Sequence, residues 1–173
     1  MKRLALVVGF ALTLLGFSAS PALAVAPTSV TTTGGLHVCE NTTLDVTATK
    51  TTGPTGTAFL TATGEVCGAG TSATATLSAT AVVTVGCITP SGSNEPKGLR
   101  TTTTTVTGSQ TFETRQGRGT FTVSTNAVGV PSTFDCPSPN MTETLVSVTF
   151  TNVTLTITSQ TGTITATFPD IDP

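Results

Sequence analysis

The chain has 173 residues, only 9% of them charged and about a quarter of them Thr, with a formal net charge of −2. Its few Lys and Arg are scattered, so the clustered cations that neutralise nucleic-acid phosphates or anionic membrane surfaces are missing, and neither partner is expected. Disordered segments are poor in β-branched residues and rich in charge; this composition is the reverse, and β-branched Thr favours strands.

Residues 1–24 read as a secretory signal peptide. Lys2 and Arg3 are basic, Leu4 to Phe17 is apolar, and Ala22-Leu23-Ala24 or Ala24-Val25-Ala26 supplies small residues for cleavage. About 14 apolar residues fall short of the ~20 that a spanning helix needs. No Cys follows the apolar run and the last residues, Phe-Pro-Asp-Ile-Asp-Pro, carry no apolar tail. A secreted, extracellular protein with no membrane anchor in the mature chain is expected. Five bases against nine acids then leave a charge of −4. The length suits one domain with a real core.

Residues 25–35 read as a linker or a frayed first strand, and 36–173 as a single β-sandwich domain. Leu44, Val46 and Ala48 alternate with Asp45, Thr47 and Thr49, the mark of a half-buried strand. After the turn Gly53-Pro54-Thr55-Gly56, Ala58, Leu60 and Ala62 repeat the pattern. A register of numbers summing to 106 opposes Leu44 to Ala62, Val46 to Leu60 and Ala48 to Ala58, with every apolar side chain on one face. Beyond Gly68-Ala69-Gly70, residues 73 to 85 hold one parity of Ala, Leu and Val. That is longer than an ordinary strand of about 3 to 10 residues, so a bend or a crossing between sheets is expected.

Thr89 to Gly98 reads as a loop, and the Thr run 101–105 as the opening of the next strand. Gln116-Gly117 centres a hairpin whose register, summing to 233, sets Phe112 across from Phe121. Residues 127–140 form a second long loop. Val146, Val148 and Phe150 share a parity. The final hairpin, summing to 321, opposes Val153 to Phe168, Leu155 to Ala166 and Ile157 to Ile164, with Thr on the other side. Seven to nine strands without helical periodicity predict an all-β, two-sheet antiparallel sandwich, immunoglobulin-like in architecture but without the Trp of antibody domains.

Cys39, Cys67, Cys87 and Cys136, in an exported chain, are expected to form two disulfides out of three possible connectivities. Numbers 39 and 67 also sum to 106, which favours Cys39–Cys67; Cys87–Cys136 follows by elimination. Strict alternation would put the first pair on the wet face, unless a bulge near Gly64 or a position beyond the strand ends intervenes. One His and no paired C-x-x-C argue against zinc.

No catalytic constellation is visible. His37 is the sole histidine, no nucleophile elbow is present, and Glu40, Asp45, Glu65, Glu95, Glu113, Asp135 and Glu143 are dispersed. Asp170 and Asp172 read as a solvated end rather than a calcium site. No cofactor, metal or catalytic residue is assigned. Neither Trp nor Tyr offers a sugar platform. Phe59 and Phe134 fall outside the core pattern and are expected to pack under loops. Asn41, Asn140 and Asn152 head glycosylation acceptor triplets.

Thr76 to Pro90, ending Val-Gly-Cys-Ile-Thr-Pro, together with Gly108-Ser109-Gln110-Thr111-Phe112, Gly119-Thr120-Phe121-Thr122-Val123 and Cys136-Pro137-Ser138-Pro139-Asn140, resembles small secreted β-sandwich proteins of actinobacteria over residues 75–158. The resemblance implies a Gram-positive exported protein and pairing of Cys87 with Cys136; it implies no activity. The expected function is a non-enzymatic structural or protein-interaction module facing an unknown extracellular protein or surface. The alternatives are a small-ligand or carbohydrate-binding sandwich and, third, ice or surface binding through T-x-T rows.

Overall fold

The computed structural model describes residues 23–51, 53–89 and 97–173, so most of the signal-peptide segment and most of the Thr89–Gly98 loop lie outside the described residues. The described chain is all-β. Its strands are β1 (Ala24–Val25), β2 (Ser29–Gly34), β3 (His37–Val38), β4 (Asp45–Lys50), β5 (Thr57–Cys67), β6 (Ser72–Ile88), β7 (Lys97–Glu113), β8 (Gly119–Ser124), β9 (Val128–Gly129), β10 (Thr142–Ser159) and β11 (Gly162–Thr167). Three of them, β1, β3 and β9, are two-residue pairings, which leaves eight substantial strands.

All pairings are antiparallel and fall into two sheets. One runs β2-β11-β10-β6-β7. The other is centred on β5, with β4 and β3 along one side, β8 and β9 along the other, and β1 beyond β4. The aliphatic parity of each strand turns inward: Val46, Leu60, Ala62 and Val123 from one sheet meet Leu77, Val83, Phe150, Leu155, Ile157 and Ile164 from the other, all at most 2% exposed. Each such Val, Leu, Ile or Phe contributes about 1.5–3 kcal/mol by leaving water.

The final hairpin has the expected register, from Thr154↔Thr167 through Leu155↔Ala166 to Ser159↔Gly162. The first does not. Val46 faces Ala62 and Ala48 faces Leu60, so the numbers sum to 108 rather than 106. A slip of two residues keeps every side chain on its face, because the side-chain period is two. Residues 29–34, within the segment expected to be a linker or a frayed first strand, form an edge strand on β11.

β6 does not cross between sheets. It pairs with β10 and β7 along nearly its whole 17 residues. The Thr run 101–105 lies inside β7 and does not open it. In β10 the expected Val146, Val148, Phe150 parity is broken. Val146 is an extra residue between Leu145↔Val85 and Ser147↔Thr84, and Leu145 takes the core position. A second bulge, with Asn152 at φ 52, lies between Thr151↔Thr80 and Thr154↔Ser78. Each bulge flips the inward parity, so Leu145, then Val148 and Phe150, then Val153, Leu155 and Ile157 are all buried. Lys50 Nζ, from the facing sheet, donates to the carbonyl of Val146 at 2.9 Å.

Gln116 and Gly117 both have positive φ, as a two-residue I′ hairpin requires. The expected ladder stops there: Arg115 bridges Arg118, and then β7 joins one sheet while β8 joins the other. Phe112 and Phe121 still meet, with ring centroids 5.5 Å apart, but across the core between sheets and not as neighbours in one ladder. The same corner closes the sandwich at Gly108, where a Cβ would lie 1.9 Å from the Ser124 carbonyl oxygen; only glycine lets the two backbones approach this closely.

Both disulfides are formed as expected, Cys39–Cys67 and Cys87–Cys136. Cys39 lies one residue past β3, and Cys67 is the last residue of β5. The β3–β5 register sums to 104 and the β4–β5 register to 108; Cys39 falls in the loop that joins the two ladders, while Cys67 stands opposite His37 at the end of the first. Gly64 is regularly paired with Phe121 and forms no bulge; a Cβ there would meet Leu44 Cδ2 at 2.5 Å.

Candidate interaction surfaces

The wet parity of the five-stranded sheet carries hydroxyls in rows that cross it from edge to edge. Ser29, Thr167, Thr154, Ser78 and Thr107 stand opposite one another in turn. So do Thr31, Thr165, Thr156, Thr76 and Ser109, and likewise Thr33, Thr163, Thr158, Thr74 and Thr111. Past the Asn152 bulge the rows continue over three strands, as Thr151–Thr80–Thr105, Thr149–Val82–Thr103 and Ser147–Thr84–Thr101. Val82 is the single position in these six rows without a hydroxyl, and none carries a charge. Strand geometry spaces the hydroxyls about 4.8 Å across strands and about 6.7 Å along them. Several are tied to their neighbours: Ser29 to Thr167 at 2.6 Å, Thr74 to Thr111 at 2.9 Å, Thr84 to Thr101 at 3.1 Å and Thr76 to Ser109 at 3.2 Å. Cross-strand Thr pairs of this kind stabilise a sheet by about 0.2–1 kcal/mol each.

A second feature lies on the inner side of β7, where the β5 sheet ends. Depressions of ≈ 470 and ≈ 420 Å³ are joined through a smaller one of ≈ 70 Å³ into a trough. Val83, Val85 and Cys87 of β6 and Arg100, Thr102 and Thr104 of β7 form one wall, and the 126–137 loop the other. Phe134, a member of that loop, is turned inward and buried, while Phe59 is half-buried on the outer face of the other sheet. The Cys87–Cys136 bond holds the loop against the end of β6.

The remaining sequence candidates are dispersed. His37 is exposed in β3, with Nδ1 2.9 Å from the Gly35 carbonyl oxygen. Asp172 accepts a 2.6 Å hydrogen bond from the Thr149 hydroxyl. Among the described residues no group of three or more His, Cys, Asp or Glu could hold a metal, and no helix is long and apolar enough to cross a membrane. Asn41, Asn140 and Asn152 are all exposed. Glu65, on β5, and Arg118, in the turn just before β8, form a bidentate ion pair, Arg118 Nε to Oε1 and Nη2 to Oε2, the latter at 2.9 Å. The hydrogen bonds from Arg118, reinforced by its charge, hold the Glu65 carboxyl below the ordinary Glu range.

The sequence shows the Thr parity and the T-x-T rows along single strands but not their alignment across the sheet, because alignment over five strands depends on bulges and registers far apart in the chain. It missed the trough, whose walls come from three segments. No protein-family model, curated protein or solved structure matches this chain.

Proposed function

We propose that the chain is exported and works outside the cell as a non-enzymatic interaction module, in line with its resemblance to small secreted β-proteins of actinobacteria. Its two disulfides suit an oxidising compartment. The observation that carries the reading is the hydroxyl face, whose rows are in register over five strands. Such a face donates and accepts hydrogen bonds repeatedly, with no charge to select a charged partner. Its partner is an extracellular protein or surface rich in hydrogen-bonding groups.

Recovery from the culture medium tests export, and the N-terminal sequence of that protein tests removal of the leader; retention of the whole chain inside intact cells would refute export. Thr156→Lys, in the middle row, tests the face. Retention of the folded variant on surfaces and secreted proteins that hold the parent should fall to that of an unrelated protein. Undiminished retention would refute the face as the working surface.

The same regularity favours binding to ice as a second reading, opposed by the ~20–25° twist between neighbouring strands. Thermal hysteresis lost in Thr156→Lys would establish it, and no hysteresis in the parent would end it. The trough favours a small-ligand or carbohydrate reading, which a saturable binding isotherm removed by Thr102→Trp would establish.

A further inference from the structure

We propose that β7 pairs with β7 of a second copy of this chain, antiparallel about a two-fold axis at Thr103, joining two five-stranded sheets into one of ten strands. The inference stands on the sheet edge alone and does not require the hydroxyl face to have a partner.

β7 ends the five-stranded sheet, with β6 on one side only. Its register with β6 is regular from Ser72↔Glu113 to Val85↔Arg100. Near the middle, the Thr107 amide donates to Asn126 Oδ1 at 2.8 Å, and the Asn126 amide donates to the Thr107 carbonyl at 3.0 Å. The backbone groups of Thr107 therefore point away from β6. In an antiparallel strand both groups of a residue point to the same side and alternate residues share that side. Thr101, Thr103 and Thr105 thus present three donors and three acceptors to the open edge, and among the described residues no backbone group pairs with them there.

This window has definite ends. Asn126 occupies Thr107 on one side. On the other, Gly98, at φ +65, lies in the irregularity between Val85↔Arg100 and Cys87↔Lys97. Within it, the devices that guard edge strands are missing: Thr101–Thr105 has no charge and no Pro. Five identical β-branched residues are also their own complement. A dyad at Thr103 sets Thr101 against the second copy's Thr105 and Thr103 against itself, while Arg100 faces the second copy's Val106, so no like charges are opposed. That symmetry singles out a second copy as the occupant. Pairing with the β2 edge of another copy would instead be head-to-tail, giving a ring or a filament and not a two-fold dimer.

The test is sedimentation of the mature protein over a wide concentration range, with amide hydrogen exchange. The expected result is a concentration-dependent dimer in which the Thr101, Thr103 and Thr105 amides slow as the dimer forms. Thr103→Pro removes a donor that faces the edge and leaves the β6 ladder whole, and should be monomeric throughout. Thr103→Cys should give a covalent dimer on oxidation, since strands so paired set Cα atoms about 5.5 Å apart, within disulfide reach. A monomer at every concentration, filaments abolished by Thr32→Pro in β2, or a dimer that persists in Thr103→Pro would each overturn the proposal.

Discussion

Replacing Cys87 and Cys136 together by Ala tests whether the disulfides stabilise mainly by shortening the unfolded chain. The two residues are 49 apart in sequence, against 28 for Cys39 and Cys67. On the chain-entropy account, opening the longer loop costs about 4.1 kcal/mol at 25 °C and opening the shorter about 3.6. The Cys87/Cys136 variant should therefore be the less stable by about 0.5 kcal/mol from this term. The difference should grow, because the longer bond also anchors the 126–137 loop, whose Phe134 is buried. Equilibrium denaturation in urea under non-reducing conditions, with the slope checked for constancy, measures both losses. If the Cys39/Cys67 variant proves the less stable, loop entropy and loop anchoring do not govern these bonds and the reasoning fails.

Gln116 occupies a left-handed position that Asn or Gly fills more readily, so Gln116→Asn should raise stability by about 0.5–1 kcal/mol in the same assay. Gly108→Ala has no room beside Ser124 and should cost at least about 1–3 kcal/mol, with hydrogen-exchange protection lost first where β7 meets the 124–126 segment. Because the Glu65 carboxyl is held below its ordinary value, the contribution of its ion pair is complete above that ordinary value. It is lost as pH falls through the lowered folded value. Stability curves of the parent and Glu65→Gln should converge on acidification, and a gap that widens in acid would contradict the pairing.

The parts of the fold legible in the sequence were those set by local alternation. The 153–168 hairpin was readable to the residue pair because its turn is short and its apolar parity unbroken. Leu44 to Ala62 was readable only as to face. Alternation cannot distinguish registers two residues apart, and the turn around Gly53 and Gly56, closed by the Gly56 amide on the Gly53 carbonyl, decides between them. The Cys39–Cys67 bond is present although the register that suggested it is not, because the loop between β3 and β4 absorbs the offset. Phe112 and Phe121 were correctly paired in the wrong setting, since a tight turn can lead either to a ladder or from one sheet to the next. The candidate surfaces were the least legible. The hydroxyl rows need five strands aligned at once, and the open edge of β7 follows from topology, which no local pattern carries.

The two bulges of β10 make that strand count in a particular frame. Removing Asn152 alone would turn Val153, Leu155 and Ile157 outward, or else rotate Val148 and Phe150 out of the interior. Deleting Val146 would do the same to Leu145. Single-residue insertions or deletions here should therefore be far more damaging than most exchanges of one residue for another, while changes that come in twos preserve the frame.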